Sequence, residues 1–121
     1  MRPFDGNPAW QHAHRLTLEV YRITSTFPVH ERFGLARQAR RAAFSVASNI
    51  AEGSAKRGKA EYRRFLDISL GSLAELAYCM ILARDLGYVS ADEWLRFEAL
   101  RDEAGRTLWG LYRSMSARHS A

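Results

Sequence analysis

Cysteine is nearly absent: Cys79 stands alone, which excludes a disulfide framework and any cysteine-rich zinc site. The three prolines and eight glycines are too few and too scattered for a low-complexity or collagen-like chain. Alternating apolar–polar runs of strand-forming residues are missing, so no sheet is expected. The longest unbroken apolar run, Leu76 to Ala83, has eight residues, too few to cross a bilayer. Met1-Arg2-Pro3-Phe4-Asp5-Gly6 lacks the apolar stretch of a secretory signal. A cytoplasmic protein without membrane contact is therefore expected.

The ingredients of catalysis are also missing. His12 and His14 are two apart and point in different directions on a helix. His30 falls in a connector and His119 in the tail, so no histidine pair has metal-ligand spacing. Cys79 lies inside the apolar run and reads as a packed thiol. Ser45 and Glu52 share a helix with no histidine fixed nearby, which is no triad. With no strand, there is no phosphate loop of the strand–glycine-rich–helix type. We expect no catalytic residue, no metal and no cofactor.

What is present is helical periodicity. The 121 residues are one domain's worth, 1–121, and 47% apolar with 26% charged residues is the mix of a globular core and a wet surface. Helices are expected over about 8–26, 35–56, 59–86 and 91–117. Asn7 and Pro8 start the first, whose expected core stripe is Trp10, Ala13, Thr17, Val20, Thr24 and Phe27; Phe27-Pro28 ends it. The second buries Leu35, Ala39, Ala42, Val46, Ile50 and Gly53, small residues that let a neighbour approach. Arg57-Gly58 breaks the chain. The third buries Tyr62, Phe65, Leu66, Ser69, Leu73, Leu76 and Met80 and ends at Gly87. Ser90 and Glu93 form a capping box for the fourth, which buries Trp94, Phe97, Leu100, Ala104, Leu108, Leu111 and Met115. The tail after Ala117 is expected to fray. Short connections between long helices give an all-α, up-down-up-down antiparallel four-helix bundle.

Charge is unevenly placed. Between Arg37 and Arg64 eight basic residues face only Glu52 and Glu61, leaving +6 against +5 for the whole chain. Such clustering is the footprint of a polyanion binder, or of a solvated face. Arg37, Arg41, Lys56, Arg57, Lys59, Arg63 and Arg64 are the expected phosphate contacts for RNA or DNA. Ser45, Asn49 and Glu52 are expected to form a structural polar seam against a neighbouring helix.

Two faces do not suit a lone bundle. Phe44 projects among arginines opposite the second helix's core stripe. Ile68, Tyr78, Cys79 and Leu82, with Gly71, lie away from the third helix's main stripe. A helix with two apolar sides is buried twice, either deep in its bundle or at a subunit interface. We take Phe44, Ile68, Gly71, Tyr78 and Leu82 as the oligomer-interface set; stacking of Phe44 on a base is the alternative for that residue. Two functions follow: a nucleic-acid-binding oligomer, or a protein–protein scaffold whose Arg40 and Arg41 meet Glu52 or Glu75 of a neighbour.

The second helix carries a resemblance. Its stretch from Gln38 through Arg40-Arg41-Ala42 to Ser48-Asn49-Ile50-Ala51-Glu52-Gly53 resembles the proteins encoded by intervening sequences in bacterial 23S rRNA genes. Trp10, Tyr21, Phe27-Pro28, Phe33-Gly34-Leu35, Phe65-Leu66, Gly71-Ser72-Leu73 and Leu86-Gly87-Tyr88 match too. The likeness implies a four-helix bundle that assembles as a homopentamer, with no assigned catalytic residue. It also implies kinship to the accessory variability determinant proteins of diversity-generating retroelements, which form positively charged pentamers that bind nucleic acid and a reverse transcriptase. The family often has proline where this chain has Ala47, so a straighter second helix is expected here.

Overall fold

A computed structural model describes residues 1–116. Four α-helices follow one another among them: α1 (Pro8–Thr24), α2 (Leu35–Ser54), α3 (Lys59–Asp85) and α4 (Ala91–Ser116). A single 3-10 turn, Val29–Glu31, sits in the first connector. No strand occurs among the described residues. Each helix packs on its chain neighbour, and α4 closes the ring against α1, while α1/α3 and α2/α4 face each other across the diagonals. The fold is thus the up-down-up-down bundle. The tail beyond Ser116, His119 included, lies outside the described residues.

The helix ends follow local chemistry. Asn7 accepts the Ala9 amide at 2.9 Å, with Pro8 in the first helical turn. α1 stops at Thr24, two residues before the expected end. The hydroxyls of Thr24, Ser25 and Thr26 each bond back to the carbonyls of Val20, Arg22 and Ile23, competing with the helical ladder. α2 ends at Ser54 because the amides of Ala55 and Lys56 reach only three residues back, to Glu52 and Gly53. Gly58 then turns the chain at a φ of 83°, a left-handed value that glycine adopts without strain. After α3, the amides of Gly87 and Tyr88 close on the carbonyls of Arg84 and Ala83 at 3.0 and 2.9 Å. That is a Schellman ending, with Gly87 in the left-handed region. Ser90 and Glu93 cap each other reciprocally at 3.0 and 3.1 Å, opening α4.

The core is shared by all four helices. Leu16, Val20 and Ile23 of α1, Val46 and Ile50 of α2, Leu66, Leu76 and Met80 of α3, and Phe97 and Leu108 of α4 are fully buried. Each such side chain contributes about 1.5–3 kcal/mol by leaving water. The α1 stripe is rotated from the expected one: Leu16 and Ile23 take its centre, while Trp10 and Thr17 are half-buried edges. α2 is uninterrupted through Ala47. Its inner side is built from Ala36, Ala39, Ala42, Ala43 and Ala47, ending in Gly53. These small residues bring α3 close, and a Cβ at Gly53 would lie 2.9 Å from both Phe65 Cβ and Tyr62 Cδ1.

Candidate functional site

α2 presents Arg37, Arg41, Phe44 and Ser48 along one outer edge, at helical spacings of four, three and four. α1 supplies Tyr21 beside them. Tyr21, Arg37, Arg40, Arg41, Phe44, Ser45 and Ser48 line one open groove between the two helices. A second depression, lined by Tyr21, Arg32, Phe33, Arg37, Arg40 and Arg41, shares four of those residues. Together they form a trough about 16 Å long from Arg37 to Ser48. No carboxylate lines it.

The arginines in the trough differ in their commitments. Arg40 is anchored: its Nε donates to Thr24 Oγ1 at 2.7 Å and its Nη2 to the Tyr21 carbonyl at 3.3 Å. Its guanidinium also lies 4.7 Å from the centre of the Tyr21 ring. A cation at the C-terminal end of α1 suits the helix dipole, so Arg40 works as a clasp between α1 and α2. Arg37 and Arg41 are exposed and have no ion-pair partner among the described residues. Arg32 rests over Phe33 at 5.7 Å.

The remaining expected phosphate contacts lie elsewhere. Lys56 and Arg57 occupy the α2–α3 turn, Lys59 opens α3, and Arg63 and Arg64 lie in its first turns. The Asn7–Tyr62 hydrogen bond, 3.0 Å, places that turn beside the start of α1, at the opposite end of the bundle from Arg37. From Arg37 to its end at Ser54, α2 rises about 26 Å. The expected single basic surface on α2 and α3 is therefore two separate clusters, because a straight helix carries its ends apart. Arg57 and Lys59 are exposed without an ion-pair partner among the described residues. Arg64 pairs with Glu61 at 2.8 Å, and its hydrogen bond holds the Glu61 carboxyl below the usual range. Lys56 and Arg64 both approach the Phe65 ring, at 5.2 and 5.3 Å. The charge of Arg63 is felt at Tyr112 on α4, whose hydroxyl bonds Asp67.

Acids elsewhere engage several of the bundle's other cations. Glu19 holds Arg22 and Arg96, Glu98 holds Arg101, Asp102 and Glu103 hold Arg106, and Asp85 holds Arg84. Glu31 instead accepts the Leu35 amide and the Tyr88 hydroxyl, each at 3.0 Å. These bonds, the Leu35 amide first, keep its carboxyl below the ordinary range.

The outer face of α3 carries Ile68, Gly71 and Tyr78 in the open, with Leu82 half-buried. Ile68 is 45% exposed and Tyr78 64%. Ile81, which the sequence reading passed over, joins them; it lies three residues after Tyr78 and a helical wheel places it on that side. Phe44 stands apart from this face, in the α1–α2 groove. Cys79 does not share the face either: it is buried in the core, and burial pushes its thiol up. With apolar residues on both sides, Lys59–Asp85 is long and apolar enough to cross a bilayer by length and composition, which an eight-residue unbroken run had not suggested. A third of its most apolar stretch is buried in the bundle.

Ser45 and Asn49 lie in a polar seam between α2 and α3. The Ser45 and Ser72 hydroxyls are 2.6 Å apart, and Asn49 Nδ2 donates to the Ser45 carbonyl at 2.9 Å. Ser69 Oγ, fully buried, donates to the Val46 carbonyl at 2.8 Å. Glu52 is exposed and outside these bonds, one turn past the point where the seam ends. Ser69 and Ser72 complete the seam; the signal for them was a serine interrupting an otherwise apolar stripe opposite Ser45. Gln38 bonds Glu75 beyond it. Among the described residues no group of histidine, cysteine and acidic side chains could hold a metal. His12 contacts Arg15, and His14 stacks on Trp10 with centroids 5.1 Å apart.

Comparison with known proteins gives a consistent picture. A crystal structure of a protein of unknown function from the S23 ribosomal protein family of Bacteroides thetaiotaomicron superposes with a TM-score of 0.71 at 16% identity. The match covers 90% of this chain and 99% of that one, and at this identity it speaks for the fold. No curated protein matches the sequence. The description of the 23S rRNA-intervening sequence protein fits residues 6–110. With nearly all of α1–α4 inside that match, the chain belongs to the 23S rRNA-intervening sequence protein family.

Proposed function

We propose that this protein is a non-enzymatic, cytoplasmic oligomer that binds nucleic acid, RNA before DNA, through its exposed basic clusters. The observation that carries this is the distribution of unmatched charge. Arg37, Arg41, Arg57 and Lys59 have no acidic partner among the described residues, while Arg22, Arg84, Arg96, Arg101 and Arg106 each pair with a nearby carboxylate. Clustered unmatched charge is the footprint of a polyanion binder. RNA is preferred because the family takes its name from 23S rRNA and the similar fold comes from a protein of an S23 ribosomal family. An oligomer, a homopentamer by resemblance, repeats both clusters and multiplies weak phosphate contacts into avidity.

The test is fluorescence anisotropy with structured RNA and duplex DNA between ~50 and ~200 mM salt, a range over which six to ten phosphate contacts lose about 10³–10⁵ in affinity. Charge reversal at Arg37 and Arg41, and separately at Arg57 and Lys59, should weaken binding and reduce the salt slope by about one per lost contact. Unchanged binding in both variants, or no binding at low salt, overturns the reading.

A second reading, a protein–protein scaffold, is favoured by the apolar outer face of α3. Exposed Ile68, Gly71, Tyr78 and Ile81 are an oligomer interface in either case. Under the scaffold reading the same charge reversals dissociate the oligomer, which sedimentation velocity reads directly.

A further inference from the structure

The trough between α1 and α2 holds more than charge. Phe44 is 62% exposed at its middle, Tyr21 lies on its α1 wall and Phe33 at its far end. Arg32, Arg37, Arg40 and Arg41 are interleaved with these rings, and no carboxylate joins them. Nothing in the fold of one chain requires a phenylalanine at this place. Phe44 stands opposite the stripe that packs α2, and alanines on either side of that stripe already fill the core. Its place among guanidinium groups suits a partner with both a flat π-face and a regular negative backbone.

We propose that this groove binds an unpaired run of nucleotides, with a base stacked on Phe44 and flanking phosphates held by Arg37 and Arg41. Single-stranded nucleic acid exposes ring faces that a duplex keeps stacked inside, and aromatic platforms beside basic side chains are what engage them. Arg40 does not reach for the ligand. Its bonds to Thr24 and Tyr21 hold the groove wall and orient the Tyr21 ring, so it is a positioning residue. Ser48 offers a hydroxyl at the end of the groove, next to Phe44 on the helical edge. This assignment presupposes the phosphate binding proposed above and adds a preference for single strands over duplexes.

The test compares a short oligouridine with a duplex of equal length, by anisotropy, for the wild-type chain and for Phe44→Leu and Phe44→Tyr. Leucine keeps the apolar volume and removes the π-face; tyrosine keeps the ring. Stacking predicts that Phe44→Leu loses about tenfold or more in affinity for oligouridine, that Phe44→Tyr retains it, and that duplex binding is unchanged. If oligouridine binds Phe44→Leu and wild type equally, the groove assignment falls while phosphate binding stands. If the wild-type chain binds duplex and not oligouridine, the assignment falls in the same way. If it binds neither at low salt, the nucleic-acid reading itself fails. Sedimentation velocity on Phe44→Leu and on a third variant, Phe44→Ala, closes the remaining route: an oligomer that survives leucine but dissociates in Phe44→Ala assigns Phe44 to subunit packing and overturns the proposal.

Discussion

Replacing Gly53 by alanine asks how closely α2 and α3 approach. The added Cβ would lie 2.9 Å from Phe65 Cβ, 2.9 Å from Tyr62 Cδ1 and 3.3 Å from Tyr62 Cε1. Comfortable carbon–carbon contact is about 3.5–4.0 Å, so the shortfall is about 0.6–1 Å. Phe65 Cβ is bonded to the α3 backbone and cannot rotate away, so the helices must separate even if Tyr62 leaves its place against Asn7. Overpacking of this kind costs about 1–3 kcal/mol. Alanine's better helix propensity returns about 1 kcal/mol. The expected net loss is about 1 kcal/mol, and up to ~2, or a fall in melting temperature of about 4–8 °C for a domain of this size. The control is Gly110→Ala in α4, where a Cβ meets nothing within 4 Å. There only the propensity gain of about 0.5–1 kcal/mol should appear, as a rise of a few degrees. Urea unfolding with an unchanged m value checks that the native state, not the denatured one, has moved. A melting temperature for Gly53→Ala that rises as far as for Gly110→Ala would refute the close approach.

Gly71→Ala is a third glycine case with a different signature: its Cβ would stand in open space, so each chain should gain up to ~1 kcal/mol in stability, while an α3-mediated oligomer should weaken in sedimentation velocity. Ser69→Ala removes one buried hydrogen bond, to the Val46 carbonyl, and should lose about 1 kcal/mol; Ser69→Val, which also crowds the α2–α3 seam, should lose about 1–3 kcal/mol more in urea unfolding. Glu31 is held below the ordinary carboxylate range by the Leu35 amide, then the Tyr88 hydroxyl. Its contribution is complete above the ordinary glutamate value and is lost as pH falls through the lower folded value. Thermal melts between acidic and neutral pH should therefore show a steeper acid limb for the wild-type chain than for Glu31→Gln; superimposable limbs would discount the cap.

Much of the fold was legible because its signals are local. Asn7-Pro8, the Ser90–Glu93 box and Gly87 act on backbone groups within a few residues, and each ends or starts a helix where the sequence placed it. The α1 end was read two residues late because three consecutive hydroxyls bond back to the ladder, a competition that periodicity does not register. The rotation of the α1 stripe toward Leu16 and Ile23 came from where α2 and α4 sit, which no single helix encodes. The alanines of α2 announced a close neighbour; that the neighbour is α3, meeting Gly53 through Phe65 and Tyr62, is a tertiary fact.

The candidate site divides in the same way. The sequence by itself determined that the chain is a helical bundle, that its surplus charge lies between Arg37 and Arg64, and that α2 and α3 carry apolar residues beyond one stripe. Only the tertiary structure decided how that charge is spent. It separated Arg37 and Arg41 from the α2–α3 turn by about 26 and 20 Å, since helical rise converts sequence distance into length. It committed Arg40 to the end of α1 and Arg64 to Glu61. It also set Phe44 beside Tyr21 and took Cys79 into the core. A sequence fixes which side of its own helix a residue occupies; which other helix stands there depends on packing among all four.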